Sequence, residues 1–131
     1  FSEASRMIWT VIALIAAGGA LTFAFRAQSV DREHLYAALS AYLLAGIFFG
    51  VFYWTLERMW PGSFAVPDPL SPNSAIYFSF VTLATLGYGD IVPRSDVARG
   101  LAIVEGVGGQ LFLAVLIARL VSLYAQRKKT D

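Results

Sequence analysis

Three long apolar runs constrain the fold of this chain more than any other feature of its sequence. Met7–Phe25 is an uncharged run of nineteen residues, and Leu35–Leu56 is an uncharged run of twenty-two. The third run, Gly100–Ile117, contains a single acid, Glu105. Crossing a bilayer takes about 20 mostly apolar residues, and none of these runs alternates like a strand of a barrel. The sequence therefore predicts three transmembrane helices.

The composition agrees with a membrane protein. Hydrophobic residues make up 57 % of the chain and charged residues 15 %, whereas soluble domains carry about 25 % charged residues. The chain has no cysteine, which excludes disulfides and thiolate metal sites. Its net charge of +1 gives no reason to propose a nucleic acid partner. We assign no catalytic residue and expect no organic cofactor.

A different kind of segment separates the second and third runs. Pro61–Pro72 is rich in proline and indicates an extended surface loop, ending in a candidate N-cap at Ser71 with Pro72 suited to the first helical position. The thirteen residues of Asn73–Thr85 are too few to span but suit a re-entrant segment. Irregular backbone at membrane depth is tolerated only where it is buried in protein or lines an aqueous path. This arrangement predicts a pore.

The irregular segment carries a specific motif. Residues 82–90 read TLATLGYGD, which resembles the selectivity-filter signature TxxTVGYGD of the potassium channel family. The resemblance covers roughly residues 35–124, and its core, TLGYGD, is highly specific. Leu86 replaces the usual valine and Ala84 a common threonine. We expect neither change to alter selectivity, because the Leu86 side chain would point away from the ions.

The motif has a direct physical interpretation. A potassium ion that sheds its water needs equivalent oxygens, which backbone carbonyls supply if consecutive residues point them at one axis. Such a backbone requires unusual dihedrals, which Gly87 and Gly89 reach at little steric cost. The resemblance implies that the carbonyls of Thr85, Leu86, Gly87 and Tyr88, with the Thr85 hydroxyl, form stacked sites for K+ ions.

One such loop provides a quarter of a coordination shell, so the resemblance implies a homotetramer around a central pore. The expected fold is an all-α membrane protein with three transmembrane helices, a re-entrant pore helix and a filter loop. The family's orientation implies a multi-pass protein in lipid, in a bacterial inner (plasma) membrane, with its filter facing outside. The predicted boundaries are 1–34 for a peripheral helix and cytoplasmic linker, 35–126 for a pore domain (outer helix 35–59, turret 60–72, pore helix 73–84, filter 85–90, inner helix 97–124) and 127–131 for a basic cytoplasmic tail.

Several residues are candidates for supporting the filter. In the family, the tyrosine of the motif packs behind the filter, and the following acid bonds to an aromatic residue of the pore helix. The resemblance therefore implies a hydrogen bond between Asp90 and Tyr77, the alternative being a solvent-exposed Asp90. Gly89 and Thr82 complete this candidate set.

The third run contains a glycine pair with two alternative roles. Gly109 follows Gly87 by twenty-two residues, a spacing similar to that of the inner-helix hinge glycine in many potassium channels. Gly108 and Gly109 form this hinge, or else they allow close helix packing. Three further positions match cavity-lining residues of the family: Gln110, Leu113 and Ile117.

Glu105 is the most unusual residue of the third run. An acid in the middle of a membrane helix costs about 2.5–3.5 kcal/mol on insertion scales, so it should face protein or water. One interpretation is a neutral or hydrogen-bonded acid that braces the pore helix through Thr82. The other is a gating or proton-sensing acid.

The aromatic residues near the ends of the runs predict an interfacial belt. We expect Tyr53 to belong to it, together with Trp9, Trp54 and Trp60.

Other transport functions fit less well. Non-selective relatives usually lose the tyrosine of GYG, and potassium transporters of the related superfamily carry four degenerate repeats with single glycines. This chain keeps Tyr88 and has one full repeat. A silent subunit would not need an intact filter.

Overall fold

The computed structural model describes residues 32–127, with side chains for 35–126. The described part has three helices and two short strands: α1 (Arg32–Met59), β1 (Phe64–Ala65), α2 (Pro72–Leu83), β2 (Val92–Pro93) and α3 (Asp96–Arg127). Both α1 and α3 are long and apolar enough to cross a membrane. The predicted helix at Met7–Phe25 lies outside the described residues, as does most of the basic tail.

The helix boundaries differ from the predicted ones by at most three residues, and α1 ends at Met59 as predicted. α1 begins three residues before the predicted start, and α3 extends three residues beyond 124. α2 is shifted one residue towards the N-terminus because the Ser71 hydroxyl accepts a hydrogen bond from the Ser74 N–H at 3.1 Å, and Pro72 follows as the first helical residue. A hydroxyl that satisfies a free N–H in the first turn fixes where a helix starts.

A two-stranded sheet corrects the expectation of an all-helical protein. Phe64 pairs with Pro93 and Ala65 with Val92, in antiparallel orientation. The Ser63 carbonyl extends this connection by accepting hydrogen bonds from the N–H groups of the two residues after β2, at 2.7 and 3.1 Å. The loop after α1 is thereby joined to the segment that leads from the TLGYGD motif into α3.

The turn that leads into β1 is held by a carboxylate. Glu57, in the last turns of α1, accepts hydrogen bonds from the N–H groups of Gly62 at 2.8 Å and Phe64 at 3.0 Å. Gly62 has a φ of 88°, a left-handed conformation that glycine adopts without steric cost.

An aromatic cluster forms the centre of the buried core. The rings of Tyr53, Phe64 and Phe78 meet edge to face, with centroids 5.1 to 5.5 Å apart. This geometry is the favoured one for aromatic pairs. The core therefore lies where the C-terminal half of α1 meets β1 and α2.

Two glycines let α2 approach α1 closely. A Cβ atom at Gly46 would lie 2.7 Å from the Phe80 ring, and one at Gly50 would lie 2.6 Å from the Cα atom of Ile76. Gly46 and Gly50 form a G-x-x-x-G pattern, which in membranes allows backbones to come together. This pattern stands inside the second apolar run and was not singled out from the sequence.

Candidate functional site

The site begins at the C-terminal end of α2, where the chain leaves the helix. The Ala84 N–H donates to the Phe80 carbonyl at 2.9 Å, and the N–H groups of the next two residues turn back onto Thr82 and Val81 at 3.0 and 2.9 Å. Carbonyls in the last turn of a helix have no partner in the helix itself and must be satisfied in another way. Here the N–H groups of Ala84 and of the first two residues of the TLGYGD motif satisfy three of them.

The fourth carbonyl, that of Leu83, is held by side chains from both long helices. The Tyr42 hydroxyl of α1 donates to it at 3.1 Å, and the Gln110 amide of α3 donates at 3.4 Å. Gln110 was predicted to line a cavity, and the structure gives its amide nitrogen this additional contact. Tyr42 was not singled out from the sequence. Both long helices therefore hold the point from which the motif departs.

The backbone of the motif alternates in handedness. Thr85, Gly87 and Gly89 have φ values of 58°, 60° and 78°. Thr85 is the only residue other than glycine with a positive φ in the described part of the chain. For a β-branched residue this conformation is a genuine outlier, and such outliers cluster at functional sites.

The whole motif is exposed on the single subunit. Every side chain from Ala84 to Asp90 is exposed, with Leu86 at 56 % and Tyr88 at 66 %. Leu86 and Tyr88 are among the large apolar and aromatic side chains that the described part of the single subunit exposes.

The structure brings Tyr77 and Asp90 together. The neighbouring carboxylate of Asp90 raises the pKa of the Tyr77 hydroxyl. Tyr77 is on α2 and Asp90 ends the motif, so this proximity relates the C-terminal end of the motif to the helix that precedes it; the hydrogen bond between them stays a prediction.

Glu105 is buried, but its partners are not the predicted one. The prediction that it braces α2 through Thr82 was wrong in the partner: Glu105 contacts the hydroxyls of Ser79 on α2 and Tyr53 on α1. Thr82 is half-buried, and its carbonyl accepts the turn hydrogen bond described above. Ser79 lies one turn before Thr82 on α2 and on nearly the same face, so the predicted face of α2 was right and the depth of the contact was wrong by about one turn.

The role expected for Tyr53 was also wrong. It was predicted to belong to the interfacial belt, but its side chain is fully buried and its hydroxyl donates to Glu105 at 2.6 Å. An acid in an apolar run needs donors from its neighbours, and Tyr53 and Ser79 are polar residues of the two helices that pack on it. That requirement is the signal that could have identified them.

The two glycines of the pair, Gly108 and Gly109, lie in different environments. α3 runs as one helix through Gly108 and Gly109. A Cβ atom at Gly109 would lie 2.5 Å from Cδ1 of Leu83, whereas one at Gly108 would meet no atom within 4 Å. Gly109 is thus a point of close packing on the end of α2.

The remaining candidates lie along one face of α3. Gln110, Leu113 and Ile117 are spaced three and four residues apart, which places them on the same side of a helix. Gln110 and Ile117 are exposed and Leu113 is half-buried on the single subunit.

The mostly helical fold, with two helices that could span a membrane, is consistent with an ion-channel pore domain, and comparison with known proteins gives the family. The model of the family described as "Ion channel" matches residues 38–126. The chain is 35 % identical over 89 residues to "Two pore potassium channel c" of Oryza sativa subsp. japonica, covering 68 % of this chain and 18 % of that protein. It is 41 % identical over 51 residues to "Probable potassium channel protein 2" of Methanocaldococcus jannaschii, covering 37 % and 15 %.

A bacterial relative extends the range of organisms. "Inward rectifier potassium channel Kirbac3.1" of Paramagnetospirillum magnetotacticum is 30 % identical over 89 residues, covering 65 % of this chain and 28 % of that protein. The chain belongs to the potassium channel pore-domain family. It spans about a fifth of the length of the first plant relatives it matches, and these relatives are channels rather than enzymes.

Proposed function

We propose that this chain is the pore-forming subunit of a potassium-selective channel, which conducts K+ passively through the TLGYGD segment. The observation that carries the proposal is the alternating backbone of the segment, with positive φ at Thr85, Gly87 and Gly89. Residues of opposite handedness in succession cancel the helical rotation of the chain. The backbone then runs straight and aligns like groups on one side.

This geometry suits the removal of water from a potassium ion. Aligned carbonyl oxygens replace the hydration shell, as in the filters of potassium channels. We assign the ion sites to the carbonyls of Thr85, Leu86, Gly87 and Tyr88, together with the Thr85 hydroxyl. K+ is thus the permeating ion, and no organic cofactor takes part.

Four copies of the chain are needed to complete each ion site. One segment supplies oxygens from a single side, and a closed rotational assembly surrounds the ion with equivalent ones. The exposed motif, with Leu86 and Tyr88, supports this assembly. So does a series of exposed apolar side chains on α3: Ile103, Val107 and Leu111. We propose a homotetramer in which these surfaces meet.

The residues around the motif support it in different ways. We propose that Tyr77, Asp90 and Gly89 hold its outer end, while Thr82 forms the turn at its inner end. The carbonyl end of α2, which carries partial negative charge, would face a cation in the cavity. Other roles proposed for α3 are gating or hinge motion at Gly109, Gly108 and Glu105, and lining of the cavity by Gln110, Leu113 and Ile117.

The proposed setting is a membrane in which α1 and α3 both cross the bilayer. The apolar length of the two helices supports this. A bacterial plasma membrane with the filter facing outside is part of the proposal; the relatives named above come from a plant, an archaeon and a bacterium.

A pair of matched glycine substitutions tests the filter assignment. Gly87 and Gly62 both have positive φ, and a Cβ atom at either would meet no atom within 4 Å. Alanine at either position therefore carries a similar conformational cost, about 1–2 kcal/mol. We expect Gly87→Ala to abolish K+ preference or conduction and Gly62→Ala to leave both intact.

The readout is the reversal potential in a K+–Na+ gradient across a bilayer containing the purified protein. Tyr88→Asp is a second variant in the proposed filter and should also lose K+ preference. An unchanged reversal potential in both Gly87→Ala and Tyr88→Asp would refute the assignment.

A further inference from the structure

Three helices share a buried polar contact at Glu105. The Tyr53 hydroxyl of α1 lies 2.6 Å from Oε2 of Glu105, and the Ser79 hydroxyl of α2 contacts Oε1. The same Ser79 oxygen lies 2.6 Å from the carbonyl oxygen of Gly46 on α1. Tyr53 and Ser79 are 0 % exposed and Glu105 is 2 % exposed, already within one subunit.

Counting hydrogens decides the protonation state of Glu105. The three contacts join Tyr53 to Glu105, Glu105 to Ser79, and Ser79 to Gly46, so three hydrogens are needed to make each one a hydrogen bond. A tyrosine and a serine hydroxyl supply one hydrogen each, and a carbonyl oxygen supplies none. An ionised carboxylate also supplies none. The Ser79 oxygen contacts both Glu105 and the Gly46 carbonyl but has a single hydrogen, so one of these two contacts would then lack a hydrogen. A protonated carboxyl group supplies the third.

The surroundings of the carboxyl group agree with this count. The titratable groups that face it are hydroxyls on α1, those of Tyr53 and, farther away, Tyr42. Within residues 35–126, no lysine, arginine or histidine contacts Glu105. A buried carboxylate without a cationic partner is strongly disfavoured, and the neutral acid avoids that cost.

We propose that Glu105 carries its proton on Oε1 and acts as a positioning residue for α2. The hydrogen bonds then run in one direction, from Tyr53 to Glu105, from Glu105 to Ser79, and from Ser79 to the carbonyl of Gly46. The series starts and ends on α1 and passes through α3 and α2. Ser79 lies six residues before Thr85, so the hydrogen bonds that hold Ser79 also fix the depth of the helix that leads into the motif.

The positioning role rests on the proposed filter, whereas the protonation state does not. Glutamine at position 105 can reproduce the series, since its carbonyl accepts from Tyr53 and its amide donates to Ser79. Leucine can reproduce neither bond. Glu105→Gln should therefore keep K+ preference, and Glu105→Leu should lose it.

Infrared spectroscopy of the assembled protein in lipid tests the proton directly. The spectrum of the unmodified protein minus that of Glu105→Gln at neutral pH should show the C=O band of a protonated carboxylic acid. Carboxylate bands in this difference spectrum, in place of the acid band, would overturn the proposal. In a second comparison, Tyr53→Phe should shift the acid band, because it removes the donor to Oε2. Tyr36 is an exposed tyrosine of the same helix, and the control substitution Tyr36→Phe should leave the band in place.

The infrared spectra test the protonation state and the hydrogen bonds of Glu105, and the reversal potential of each variant tests its positioning role. An acid band that does not respond to Tyr53→Phe would overturn the hydrogen-bond series. Equal K+ preference in Glu105→Leu and Glu105→Gln would overturn the positioning role. If the unmodified protein itself shows no K+ preference, the proposed function fails, and the infrared result still decides the protonation state.

Discussion

Replacing Gly109 with alanine should disturb the end of α2, and the structure predicts by how much. The new Cβ atom would lie 2.5 Å from Cδ1 of Leu83 and 3.4 Å from both Cγ and the carbonyl oxygen of that residue. Leu83 is itself 3 % exposed, so its side chain has little room to move. Overpacking of this kind costs about 1–3 kcal/mol.

Gly108→Ala is the matched control for this change. Both substitutions replace a glycine in the same turn of α3 and gain about 1 kcal/mol of helix propensity. At Gly108 no atom of the subunit lies within 4 Å of the new Cβ atom. The two variants should therefore differ in the free energy of unfolding by the overpacking cost alone, about 1–3 kcal/mol, with Gly109→Ala the less stable.

Denaturant unfolding in detergent gives the free energies, and single-channel recording gives the open probability. If packing against Leu83 is the role of Gly109, only Gly109→Ala should alter opening. If the pair is a hinge, both variants should reduce opening, because each stiffens the same turn. Equal stability of the two variants would refute the argument from the Leu83 contact.

Three further substitutions test the helix that supports the motif. Gly50→Ala should cost about 1–3 kcal/mol of overpacking, because its Cβ atom would meet the backbone of Ile76 at 2.6 Å, against about 1 kcal/mol gained in helix propensity; a clear gain in stability in denaturant unfolding would contradict this. Ser71→Ala should cost about 1 kcal/mol by the same measurement, through loss of the N-cap of α2, and an unchanged midpoint would speak against the cap. Tyr77→Phe should shorten channel openings in single-channel records by releasing Asp90, and unaltered open times would show that the contact does not steady the motif.

Much of the fold was predictable because it depends on local patterns. Apolar runs of membrane-spanning length predicted α1 and α3, the two long helices that the structure describes. A serine followed by proline predicted the start of α2. The two short strands were not predictable, since β1 consists of two residues whose partners, Val92 and Pro93, stand far away in the sequence. Such pairing depends on where the helices bring the two loops.

The candidate site was predictable where a motif specifies backbone conformation and not where side chains meet across helices. Gly87 and Gly89 stood out as residues able to adopt a positive φ, but nothing in the sequence marked Thr85 as a third. The acid Glu105 was conspicuous in an apolar run. Its partner on α2 was placed one turn away from the true one, Ser79, because the sequence pattern indicates which face of a helix is polar but not the depth at which two helices meet.

Potassium flux into liposomes that contain only this protein is the decisive measurement of the proposed filter. We expect K+ uptake that is driven by a K+ gradient and blocked by barium, and a reversal potential close to the K+ equilibrium potential when Na+ is the opposing ion. Gly62→Ala liposomes should behave like those with the unmodified protein. Flux that carries Na+ as readily as K+, or no barium-sensitive flux from correctly assembled protein, would contradict the claim that residues 85–88 form a potassium filter.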